Sequence, residues 1–149
     1  MRKVLVVDDD KDLLEMVELA LTEQGFNVST IEESNLFFSS IESFKPDVIL
    51  LDIFLDNADG RTLCKQLKAD ERYKHIPVAL YSAGHITSAS IRDSKANAFI
   101  GKPFDIIKLG EKIHDLLLVK AWQFSTGKLF QYLQPYLPLY SLKSVRMAW

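Results

Sequence analysis

The chain has 149 residues, 48% of them hydrophobic, which fits one compact domain with a short appendage and leaves no room for a second full domain. A net charge of −2, with 26% charged residues, makes no whole-chain case for nucleic acid or a membrane surface. The charge is uneven: residues 1–119 carry all twenty acids against fourteen Lys and Arg, a net of −6, whereas residues 120–149 carry four bases and no acid.

In chain order, Arg2 and Lys3 precede only four apolar residues before Asp8, too few for a secretory core. Val4 to Val7 reads as a first strand, apolar without alternation as a strand covered on both faces is. Leu13, Val17, Ala20 and Leu21 share a helical stripe that Gly25 closes, and Asn27 to Ile31 is a more polar edge strand. Leu36 to Phe44 predicts a helix, Val48 to Leu51 a strand, Arg61 to Lys68 a helix and Val78 to Tyr81 a strand. Ile86 to Lys95, Phe99 to Ile100 and the stripe Leu109, Ile113, Leu116 and Leu117 complete a (βα)₅ pattern ending near Val119. No run reaches the roughly 18 apolar residues of a membrane helix. Cys64 is the only cysteine, so no internal disulfide forms and a reducing, cytoplasmic setting is expected.

Alternating strands and helices imply a parallel sheet with right-handed crossovers and helices on both faces. Ligands on such sheets sit at the carboxyl ends of the strands. Asp8, Asp9 and Asp10 follow the first strand, Asp52 ends the third, Ser82 ends the fourth and Lys102 follows the fifth. Converging carboxylates repel unless a cation intervenes, and an all-oxygen set suits Mg²⁺ with a phosphoryl group better than zinc. Asp52 is then a candidate nucleophile giving an acyl phosphate, with Lys102 and Ser82 disposed to meet the transferred oxygens. Taken singly, Asp8 to Asp10 read equally well as caps of the next helix. His75, His85 and His114 lack metal-ligand spacing and read as solvated, and Cys64 reads as a core thiol.

Val6-Val7-Asp8-Asp9-Asp10, Pro46-Asp47-Val48-Ile49-Leu50-Leu51-Asp52 with Asp59-Gly60, Ile76-Pro77-Val78-Ala79-Leu80-Tyr81-Ser82-Ala83 and Phe99-Ile100-Gly101-Lys102-Pro103-Phe104 resemble the receiver domains of two-component response regulators over about residues 1–119. The resemblance implies a flavodoxin-like doubly wound fold with strand order 2-1-3-4-5. It implies phosphorylation of Asp52 by a histidine kinase or phosphotransfer protein, followed by binding of a downstream protein. Asp9 and Asp52 would ligate Mg²⁺ directly, Asp8 mainly through water, and the Phe54 backbone carbonyl would complete the protein ligands. Lys102 would pair with the phosphoryl group, its bond to Pro103 would be cis, and Ser82 with Phe99 would form the switch pair.

Ser82 and Phe99 depart from the commoner threonine and tyrosine yet keep the hydroxyl and the ring. Asp56 stands where proline is frequent. Asn97 and Ala98 lack the acid that many transcriptional receivers use in a homodimer built on the fourth helix, fifth strand and fifth helix, which puts that dimer in question. Two rivals are a haloacid-dehalogenase-like phosphatase with Asp8 as nucleophile, disfavoured by Asp12 two positions after the second aspartate, and a pseudo-receiver adaptor that is never phosphorylated. Residues 120–149 form an aromatic, basic extension in which Pro135 and Pro138 interrupt any long helix. Its bases are too sparse for a strong nucleic-acid reading, and docking on the receiver or a passive role both stay open.

Overall fold

The computed structural model describes residues 1–124, with side chains through Lys120. Its elements are β1 (Lys3–Val7), α1 (Lys11–Glu23), β2 (Asn27–Ile31), α2 (Phe37–Phe44), β3 (Val48–Asp52), α3 (Gly60–Ala69), β4 (Val78–Ser82), α4 (Ser88–Ser94), β5 (Ala98–Gly101) and α5 (Ile106–Phe124). The five strands pair in parallel in the order β2-β1-β3-β4-β5, the flavodoxin-like order.

The strand pleat divides the core into two layers. Val4, Val6, Leu50, Ala79, Tyr81 and Ile100 pack with Leu14, Val17 and Leu21 of α1 and Leu109 and Ile113 of α5. Leu5, Val7, Ile49, Leu51, Val78 and Leu80 pack on the opposite face with Phe37 and Ile41 of α2, Cys64 and Leu67 of α3 and Ile91 of α4. β3 and β4 are buried at every position, whereas β2 is half-buried throughout, as an edge strand is. Each fully buried branched aliphatic side chain contributes about 1.5 to 3 kcal/mol, so the two layers stabilise the sheet that carries the site.

Helix boundaries differ from the sequence reading where capping chemistry overrides periodicity. A 3-10 turn, Ser34–Leu36, leads into α2. α3 begins at Gly60 because the Asp59 carboxylate accepts the Arg61 N–H at 2.8 Å. α4 starts two residues later than Ile86, where the Thr87 hydroxyl accepts from Ser90 N at 3.2 Å. A hairpin of Phe54–Leu55 with Ala58–Asp59 joins β3 to α3. α5 does not stop at Val119 but runs on to Phe124, so the compositional boundary there is not a structural break. Residues 125–149, most of the extension, lie outside the described residues.

Candidate functional site

β1 ends at Val7, which delivers Asp8 to the sheet edge with 1% of its surface exposed. Asp8 Oδ1 accepts the Asp10 N–H at 2.8 Å and Oδ2 accepts from Lys102 Nζ at 2.9 Å. The three consecutive aspartates divide their work. Asp10 caps α1 by accepting the Leu13 N–H at 3.1 Å, while Asp8 and Asp9 join Asp52 in a group in which one carboxylate oxygen from each lies within 4.8 Å of the others.

Asp52 ends β3 in register with Tyr81. The chain turns sharply after it: Ile53 N–H donates to Tyr81 O and Gly60 N–H donates back to Ile53 O at 2.8 Å. A Cβ on Gly60 would stand 2.0 Å from the Asp52 carbonyl oxygen, so only glycine fits beside the central aspartate. Lys102 is carried in by β5, its backbone N–H donating to Ser82 O at 2.7 Å, and its peptide bond to Pro103 is cis. Its Nζ lies 3.4 Å from Asp52 Oδ1, so one ammonium faces two buried carboxylates.

Three carboxylates and one ammonium leave the pocket net negative. Burial, then the Asp8 charge, raises the Asp52 carboxyl from 3.8 to about 6 against the opposing pull of Lys102. For Lys102 burial acts downward, but the Asp8 hydrogen bond and the charges of Asp8 and Asp52 outweigh it and raise its pKa. A hard divalent cation among these oxygens relieves the repulsion that burial amplifies, and the donor set therefore fits Mg²⁺.

Ser82 is buried at the end of β4, where its hydroxyl accepts the Gly84 N–H at 3.1 Å. Phe99 on β5 is half-buried against the core layer that holds Leu80. Phe54 is 56% exposed, and its ring edge lies 3.0 Å from where a Gly84 Cβ would be. Asn97 accepts from Val78 N–H at 2.9 Å and from Lys68 Nζ at 2.7 Å, so it joins α3 to the start of β4. Cys64 is buried, which pushes its thiol up to about 11, and His114 packs its ring on Phe26.

Sequence reasoning missed Tyr81. Its phenol donates to the Val7 carbonyl at 3.2 Å, and Lys102 Nζ stands 4.7 Å from its ring centroid. Strand alternation carries the signal: neighbours on β4 face opposite layers, so Tyr81 shares a face with Val6 and Leu50 rather than with Ser82.

A doubly wound parallel sheet with an acid cluster and a lysine at its carboxyl edge defines a class of α/β proteins that handle anions and cations at the strand ends. Within that class the chain belongs to the response regulator receiver domain family, whose model matches residues 4–114. It is 33% identical over 120 residues to the response regulator PleD of Caulobacter vibrioides, covering 79% of this chain and 26% of that protein. It is 31% identical over 119 residues to the DNA-binding dual master transcriptional regulator RpaA of Synechocystis, covering 78% of this chain and 49% of that one. The chain thus spans a quarter to a half of the length of these relatives. The crystal structure of a putative response regulator from Chloroflexus aurantiacus superposes with a TM-score of 0.73 at 29% identity, covering 78% of this chain and 98% of that one. A CheY-like receiver from Methanospirillum hungatei shares the fold with a TM-score of 0.77 at 22% identity, covering 83% of this chain and 98% of that one.

The chain is therefore a receiver domain of the two-component type, a family of phosphoacceptor switches that bind Mg²⁺ in an acidic pocket and meet histidine kinases and downstream effectors. Neither the phosphatase nor the pseudo-receiver alternative is favoured by these relationships. No helix among the described residues is long and apolar enough to cross a membrane.

Proposed function

We propose that Asp52 accepts a phosphoryl group from a histidine kinase or phosphotransfer protein, and that the phosphorylated domain signals by binding a downstream protein in the cytoplasm. The observation that carries this reading is the ammonium of Lys102 lying 2.9 Å from Asp8 and 3.4 Å from Asp52 within the acidic cluster. Residues 1–119 are the unit assigned to this chemistry. Asp9 and Asp52 would hold Mg²⁺ directly, Asp8 chiefly through water, with the Phe54 carbonyl completing the protein ligands. Bound there, the ion supplies positive charge to the transferred oxygens.

A carboxylate oxygen of Asp52 forms its bond to phosphorus as the donor's P–N bond breaks, and the departing imidazole takes up a proton. Lys102 pairs with the phosphoryl oxygens. The Ser82 hydroxyl turns from Gly84 N–H to a phosphoryl oxygen, and the Phe99 ring moves inward into the space it vacates. A self-catalysed transfer of this kind makes the chain a switch with its own phosphorylation chemistry rather than an enzyme acting on a separate substrate.

Incubation with a small phosphodonor tests the reading. Intact mass should rise by one phosphoryl group only when Mg²⁺ is present, and Asp52→Asn should not be labelled. Undiminished labelling of Asp52→Asn would contradict it.

A further inference from the structure

Tyr81 is in contact with the charged pocket although it belongs to the core. Its side chain is 3% exposed and lies in the layer with Val4, Val6, Leu50 and Ile100, a place that leucine or phenylalanine would fill as well. Two contacts distinguish it from filler. The phenol reaches the carbonyl of Val7, the residue immediately before Asp8, and the ring face lies 4.7 Å from Lys102 Nζ. The ring also meets Phe104 edge-on, with centroids 5.9 Å apart and planes at 89°. Phe104 follows Lys102 by two residues, so Tyr81 grips the lysine loop at the ammonium and beyond it.

An ammonium is attracted to the electron-rich face of an aromatic ring, most strongly where water is excluded. Lys102 needs such a guide, because a four-carbon stem samples many rotamers and its head must serve Asp8 and Asp52 together. We propose that Tyr81 is a positioning residue for phosphoryl transfer: its ring face, anchored through the hydroxyl to Val7, holds the Lys102 ammonium over the Asp8–Asp52 pair. This rests on Asp52 being the phosphoacceptor. It assigns the aiming of Lys102 to the ring face, which the core layer and Phe104 also hold in place.

The test uses the full chain. In metal-free protein, NMR should place the Lys102 ε-methylene protons upfield of those of the other lysines through the ring current of Tyr81, the signal being assigned by its loss in Lys102→Met. Tyr81→Phe should keep the upfield shift. Tyr81→Leu and the volume-matched Tyr81→Met should abolish it. At saturating Mg²⁺, phosphorylation by a small phosphodonor should slow about five- to tenfold in the Leu and Met variants, the size a partly buried cation–π contact supports, and stay within about twofold of wild type in Tyr81→Phe. An unshifted Lys102 signal in the wild type overturns the proposal whatever the variants do, as does a folded Leu or Met variant phosphorylated at the wild-type rate. A shifted signal in a wild-type protein that takes no phosphoryl group overturns the phosphoacceptor reading and leaves the placement of Lys102 standing.

Discussion

Replacing Asp52 by asparagine should stabilise the metal-free protein. Burial and the neighbouring Asp8 raise the Asp52 carboxyl from 3.8 to about 6, so the folded state resists its ionisation. Between those values the folded protein binds more protons than the unfolded chain, and this contribution to stability falls as pH rises through the window. A displacement of about two pH units corresponds to about 3 kcal/mol, an upper value because water reaching the pocket beside Lys102, 20% exposed, screens the charges around Asp52. Asparagine keeps the shape without the charge. Urea unfolding in a chelator-containing buffer at about pH 7.5 should show Asp52→Asn more stable by about 2 to 3 kcal/mol, the difference shrinking toward about pH 4.5 as wild-type Asp52 takes up its proton. Added Mg²⁺ should close the gap by stabilising the wild type by mass action. A variant less stable than wild type at neutral pH, or a difference independent of pH, would refute the claim that the pocket is held under charge repulsion.

Phe54→Asn should shorten the lifetime of phospho-Asp52 several-fold, because an apolar ring beside Gly84 offers the attacking water no partner whereas asparagine offers it a hydrogen bond; release of inorganic phosphate reads this directly. Lys102→Met should destabilise the metal-free protein by about 3 kcal/mol at neutral pH, since it strands the buried Asp8 carboxylate without its 2.9 Å partner, and denaturant titration checks it. Cys64, buried and with its thiol pushed up to about 11, should react with iodoacetamide in the native protein only at the rate of opening and quickly after unfolding, as timed alkylation with mass detection would show.

The sheet was legible because buried parallel strands are written as unbroken apolar runs: Val4 to Val7, Val48 to Leu51 and Val78 to Tyr81 all lie in strands. The strand-end rule then drew Asp8, Asp9, Asp52 and Lys102 into one place. What escaped depended on local geometry that leaves no periodic trace. The ends of α2 and α4, at Phe44 and near Lys95, were legible, but the left-handed backbone of Lys45 and Lys95 that closes them, at φ 54° and 61°, was not, because no glycine marks it. The hairpin at Phe54–Leu55 has two residues in each arm, too few to show alternation. The composition change at Val119 suggested a boundary, but the last turns of α5 carry the helix across it. Asp10 and Asp8 look alike in sequence; only the Leu13 and Lys102 contacts separate the helix cap from the pocket acid. Tyr81 was missed because an aromatic in a buried strand reads as core, and its second role depends on a lysine 21 positions further along the chain.

Locating the acyl phosphate tests Asp52 as the phosphoacceptor directly. The protein is phosphorylated with a small phosphodonor and Mg²⁺, reduced with borohydride to fix the modified aspartate, digested and mapped by tandem mass spectrometry. The modification should fall on Asp52, in the peptide that continues into Ile53 and Phe54, and should be absent when Mg²⁺ is chelated. Modification of Asp8 instead, or none at all under conditions where the protein is folded and Mg²⁺ is bound, would contradict it.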